Sequence, residues 1–285
     1  DVVDAGEGDN TIIITTNANG GTYKSGDGND TYSFEEGWSG TVTINSGGGN
    51  DEYIVDGVEG DYESRLKILG NHEGEGTKTL DLNGGTLGES WYSDSFISGS
   101  GDDLINIGSG SIIRGNIKTH DGNDVLNLGG NFNESYIHAG DGNDSINLIG
   151  NTLDYYSRVY GGSGDDTIKV SDGYNSDGNY FGIYGEDGND LIELSSDTRI
   201  VQWGTINGGN GDDTIVGNDF GNNFAGGGGD DTINAGNGNN EVNGENGDDF
   251  LEAGNGNDVI YGGSGNDLIK AGAGNDVIYG GNSSS

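Results

Sequence analysis

The sequence predicts an all-β chain wound as a parallel solenoid, and three regularities predict it. Residues 208–279 divide without a gap into eight nonapeptides, beginning at Gly208, Gly217, Gly226, Ala235, Gly244, Ala253, Gly262 and Ala271. Upstream, the same glycine-rich six-residue turn returns at wider intervals. Large apolar residues stand at fixed distances on either side of each turn. A fixed period of this kind is the mark of a repeat architecture, in which each unit buries its apolar face only against its neighbours.

Each position of the nonapeptide meets a different demand. Glycine at positions 2 and 4 gives the backbone conformations that let six residues fold tightly with carbonyls pointing inward. A carboxylate at position 6 then joins those carbonyls as a hard oxygen donor, the kind calcium prefers. Positions 7 to 9 form a short strand, whose alternation sends position 8 to the interior. Two repeats make one coil, so consecutive turns on one edge are eighteen residues apart in sequence and adjacent in space.

The clearest copies, GGNGDDTIV, GGGGDDTIN, AGNGNDVIY and GGSGNDLIK, resemble the G-G-x-G-x-D-x-U-x repeat of RTX proteins. The resemblance implies a calcium-binding β-roll. The whole chain is expected to form one continuous right-handed parallel β-roll of about twelve to thirteen coils. Residues 1–207 would be irregular coils with calcium turns on one edge and inserted loops on the other, and residues 208–282 the regular nonapeptide part.

Taken in order, the position-6 residues of the main edge before the regular part are Asn10, Asp30, Asp51, Asp103, Asp124, Asp144, Asp166, Asp190 and Asp213. Their spacing is 20, 21, 52, 21, 20, 22, 24 and 23 residues. An ordinary step is one coil plus a short insertion, which must lie on the opposite edge. Two residues beyond each turn stand Ile12, Tyr32, Tyr53, Ile105, Leu126, Ile146, Ile168, Ile192 and Ile215, then Ile233, Leu251 and Ile269. Two residues before each turn stand Tyr23, Ile44, Phe96, Ile117, Ile137, Val159, Ile183 and Ile206, then Phe224, Val242, Ile260 and Ile278. These form two facing inward ladders. A further apolar residue two places on (Ile14, Phe34, Val55, Ile107, Leu128, Leu148, Val170, Leu194) widens the N-terminal coils.

The 52-residue step hides a coil at GEGTKTLDL, 74–82, whose position 6 is Lys78. Two readings stand: a surface lysine, or an ammonium that replaces a calcium between Asp51 and Asp103. The surrounding stretch, 57–92, is the least repetitive and is expected to bulge.

Pairing neighbouring carboxylates gives the candidate metal sites Asp30/Asp51, Asp103/Asp124, Asp124/Asp144, Asp144/Asp166, Asp166/Asp190, Asp190/Asp213, Asp213/Asp231, Asp231/Asp249 and Asp249/Asp267. On the opposite edge only Asp258/Asp276 is complete, because Asn222 and Asn240 contribute an oxygen without charge. About nine or ten calcium ions are expected, at the ~10⁻⁴ to 10⁻³ M affinity of extracellular calcium modules. Asn10 faces no earlier coil and would gain little from a carboxylate. Thr119-His120 replaces the usual small residue and glycine, so the turn at Asp124 is expected to be distorted.

Composition sets bounds. With 61 glycines, no proline, cysteine or methionine and 29% hydrophobic residues, an ordinary globular core is excluded, whereas a solenoid needs only a thin one. A formal net charge of −39 argues against nucleic acid as a partner and would drive the metal-free chain apart. No membrane span and no signal peptide are legible. The RTX resemblance implies type I secretion, and the chain reads as a fragment of a larger secreted protein, extracellular or on the cell surface.

Enzyme readings fare poorly. His72-Glu73 begins like a zinc-protease motif without a second histidine, His120 and His138 stand apart, and no nucleophile elbow occurs. Catalysis is therefore expected only outside this chain. Trp38, Phe132, Tyr155, Tyr156, Tyr174, Tyr180, Phe181 and Trp203 fall opposite the calcium edge. They either cap the core or, as in an adhesin or polysaccharide-modifying enzyme, bind a glycan or cell-surface partner. The first reading makes the chain a monomeric module that folds on extracellular calcium into a rigid, stabilising segment. The second makes it a binding module.

Overall fold

The structure, a computed structural model, describes residues 2–14, 19–34, 39–56, 64–69, 76–83, 85–87, 94–132, 134–149, 156–171, 181–196 and 204–281. Its regular elements are all β-strands. Every described pairing is parallel, as a β-solenoid requires, and the chain resolves into two compact units, one covering residues 1–141 with 149–151, the other 142–148 with 152–285.

In the first unit, strands that follow the main-edge turns stack in register. Ile12 lies beside Tyr32, Tyr32 beside Tyr53, Tyr53 beside Leu80, Leu80 beside Ile105 and Ile105 beside Leu126. Strands that lead into those turns stack likewise, Tyr23 on Ile44, Ile44 on Ile68, Ile68 on Phe96, Phe96 on Ile117 and Ile117 on Ile137. All of these side chains are buried. Tyr32 and Tyr53 stack with ring centroids 5.5 Å apart, and each hydroxyl is bonded to the serine that opens its own turn, Ser25 or Ser46. Those bonds let two phenols sit in the core without an unpaired hydroxyl.

Of the stretch expected to bulge, residues 64–69, 76–83 and 85–87 are described and stack in the ladders, while 57–63, 70–75, 84 and 88–92 lie outside the described residues. Ser64–Leu69 supplies the rung Ile68, which the sequence ladder lacked, and Lys78–Asn83 pairs on both sides, with Asp51–Asp56 and with Leu104–Ile107. The inserted segments are also more regular than expected. Gly85–Leu87, Ser111–Ile113 and Asn131–Phe132 pair in parallel as a third short ladder, with Phe132 buried.

The second unit repeats the scheme. One ladder runs Ile168, Ile192, Ile215, Ile233, Leu251, Ile269, and the other Val159, Ile183, Ile206, Phe224, Val242, Ile260, Ile278. The last rung departs from expectation: Ile278 is 50% exposed, since its strand is covered on one side only among the described residues. Among the described residues the turns number about ten, slightly fewer than the twelve to thirteen expected.

Candidate metal sites

The turn 161–166 shows how one edge is built. Gly162 and Gly164 both have φ +128°, a region that side chains rarely occupy. The carboxylate of Asp166 folds back over the start of its own turn, where a Cβ on Gly161 would lie 2.2 Å from Asp166 Oδ2. The turn rests on the one before it so closely that a Cβ on Gly164 would lie 2.1 Å from the carbonyl oxygen of Gly142. Turn shape and stacking distance thus depend on missing side chains, which is why glycine recurs there.

The position-6 residues form a hydrogen-bonded ladder. The backbone N–H of each donates to Oδ1 of the next: Asp30 to Asp51 at 3.0 Å, Asp103 to Asp124 at 2.7 Å, Asp144 to Asp166 at 2.7 Å and Asp166 to Asp190 at 2.8 Å. The series continues from Asp190 to Asp213, Asp213 to Asp231, Asp231 to Asp249 and Asp249 to Asp267 at 2.7 to 3.2 Å. On the other edge Asp258 donates to Asp276 at 3.1 Å. One oxygen of each acceptor carboxylate is therefore committed. The other, Oδ2, is buried without a hydrogen-bond partner in eleven of the thirteen candidate aspartates: Asp30, Asp103, Asp124, Asp144, Asp166, Asp190, Asp213, Asp231, Asp249, Asp258 and Asp267.

Burial is felt as an electrostatic cost. Desolvation first, with neighbouring carboxylates adding to it, raises the pKa of Asp103, Asp213 and Asp231 to about 7 and of Asp190 to about 6, and of Asp166 to about 8. Asp124 rises to about 6, and Asp249 and Asp258 are also raised. A carboxylate with a buried, unbonded oxygen must take a proton or a cation.

Asp51 is the informative exception. Its Oδ2 receives the ammonium of Lys78 at 2.7 Å, with both side chains fully buried. The same Nζ donates to the carbonyl oxygens of Gly49 at 2.7 Å and Gly47 at 3.3 Å. The backbone of Lys78 keeps its place in the ladder, since its N–H donates to Oδ1 of Asp103 at 2.5 Å. Lys78 is therefore an interior residue, and the surface reading is corrected. The cation sits against the position-6 carboxylate and the carbonyls of positions 2 and 4 of the preceding turn.

Asparagine at position 6 acts differently from expectation. Asn10 is not idle: its Nδ2 donates to the carbonyls of Gly6 at 3.1 Å and Gly8 at 2.5 Å, and its backbone N–H to Oδ1 of Asp30. Asn240 donates to the carbonyls of Gly238 at 3.3 Å and Ala253 at 3.2 Å, and Asn222 to that of Phe220 at 2.6 Å. These residues bring donors as well as an oxygen, and so tie up carbonyls of the turn.

Two further corrections concern neighbours. The turn at Asp124 keeps its shape because His120 adopts the left-handed φ of +69° usual for glycine, as Glu186 and Glu245 do at the same position. Thr119 is buried and its hydroxyl donates to the carbonyl of Ala139 at 2.8 Å. A second, outer ladder was missed. Position-5 backbone N–H groups donate backwards to position-5 side chains, for example Asn29 to Asp9, Asp165 to Asn143 and Asp230 to Asp212 at 2.8 to 2.9 Å. The near-constant Asp or Asn at position 5 was the available signal.

Among the described residues, no three His, Asp or Glu side chains converge. The donor set is instead one carboxylate per turn with backbone carbonyls, a hard oxygen cage of the kind suited to calcium and unsuited to softer metals. Fold and site together define a parallel β-solenoid with oxygen-lined turns stacked along its edges. Residues 135–148, 155–176, 183–198, 205–224, 216–251 and 252–284 match the family of the RTX calcium-binding nonapeptide repeat (4 copies). These segments therefore carry RTX calcium-binding repeats, and the part of the chain they cover is a calcium-binding β-roll module. Its turns at Asp30, Asp51, Asp103 and Asp124 lie outside the matched segments and share their ladder geometry. No curated protein matches the chain.

Proposed function

We propose that this β-roll belongs to a secreted bacterial protein, exported by a type I route, and that it folds on meeting extracellular calcium to give a rigid, stabilising segment. About nine or ten ions would be held by Asp30, Asp103, Asp124, Asp144, Asp166, Asp190, Asp213, Asp231, Asp249, Asp258, Asp267 and Asp276, with Asp51 already served by Lys78. The observation that carries this reading is the row of buried, unbonded Oδ2 atoms, matched at Asp51 by a cation in the corresponding place. Metal binding and folding are then one event, because the cage exists only when turns are stacked.

Calcium titration of the metal-free chain followed by circular dichroism, with ions counted by native mass spectrometry, tests it. A cooperative gain of β-structure at about 10⁻⁴ to 10⁻³ M calcium with about nine or ten ions bound is expected. Full β-structure in excess chelator would overturn it. The glycan-binding reading gains little from the described residues: Phe132 and Phe181 are buried, Tyr156 alone among the described candidates is exposed, and Trp38, Tyr155, Tyr174, Tyr180 and Trp203 lie outside them.

A further inference from the structure

An ammonium group has three N–H donors and no acceptor. At Lys78 all three find oxygen, from Asp51, Gly49 and Gly47, with the side chain fully buried. We infer that Lys78 is a built-in cation that closes the turn 46–51 without metal, so that the coils around it hold their fold when calcium is absent. The inference rests on the calcium reading of the aspartate turns and adds to it a place where folding starts.

Three features set this coil apart. The charge is covalently attached, so its local concentration does not fall when free calcium does. Asp51, unlike the eleven aspartates above, has no free buried oxygen. The neighbouring core carries packed rings, with Tyr53 stacked on Tyr32 and edge-on to Phe96 at 6.4 Å. Lys78–Asn83 also pairs on both sides, so its order is passed to Asp51–Asp56 and Leu104–Ile107. A chain leaving a calcium-poor compartment would thus carry one ordered stretch on which the metal-dependent coils could stack.

Amine acylation of the full chain in excess chelator, read by peptide mass spectrometry, tests this directly. Lys169 and Lys270, whose side chains are 46% and 55% exposed, serve as reactive references. Lys78 is expected to react about tenfold or more slowly than either, and amides of 51–56 and 78–83 to keep hydrogen-exchange protection lost from 205–252. Lys78→Met should abolish that protection in chelator. Lys78→Asp should abolish it too, and in calcium should bind at least one more ion than the parent chain. Equal reactivity of Lys78 and the references in chelator, or Lys78→Asp with an unchanged ion count, would overturn the inference. A parent chain that takes up no calcium at all would instead sink the reading of the aspartate turns, while the acylation pattern would still decide the role of Lys78.

Discussion

A single carboxylate in this roll has two unlike oxygens. Oδ1 of Asp231 accepts the N–H of Asp213 at 2.9 Å, and Oδ2 is buried and unbonded. Asp276 accepts from Asp258 at 3.1 Å but is only half-buried. Replacing Asp231 by alanine removes a rung and a ligand. Its calcium midpoint should rise roughly tenfold, because charge count and rigidity tune such sites, and by more than for Asp276→Ala. Equal shifts in a calcium titration would argue against the interior aspartate having the larger part. Asp231→Asn makes a finer test. Asn240 shows that an amide can donate to turn carbonyls, so this variant should lose one ion by native mass spectrometry yet tolerate chelator better than Asp231→Ala.

At the scale of the element, the turn is held by what its glycines lack. Gly247 has φ +138°, and a Cβ there would lie 1.8 Å from the carbonyl oxygen of Gly229. Gly280 has open space around it. Gly247→Ala should therefore cost about 1–3 kcal/mol or more in calcium-loaded stability, and Gly280→Ala within about 0.5 kcal/mol; denaturant melts with similar midpoints for the two would refute the stacking argument. The strand ladders were legible because each rung is one apolar residue at a fixed offset from a turn. Ile68 was not, since its coil carries Lys78 instead of the aspartate that locates the others. The third ladder through Ile113 and Phe132 was hidden for a related reason: insertions of variable length have no period to read. His120 misled because position 2 tells of a backbone angle, and a histidine can adopt that angle at some cost in strain.

For the whole molecule the balance is between a thin core and a formal charge of −39. In the metal-free fold, Asp103, Asp213 and Asp231 titrate near 7, Asp190 near 6 and Asp166 near 8, against an ordinary 3.8. The folded state therefore binds protons that the unfolded state has released. Stability from these groups is full below about 3.8 and is lost as pH rises through 6 to 8. Protonation also lowers the repulsion among turns. In chelator, circular dichroism should show more β-structure at pH 5 than at pH 8. With calcium the order reverses for affinity: protons compete for the same Oδ2 atoms, so the calcium midpoint should rise as pH falls from 8 to 5. A metal-free chain equally unfolded at both values, with a calcium midpoint indifferent to pH, would mean that these carboxylates are not buried as a ladder, and that the charge on the roll is relieved elsewhere.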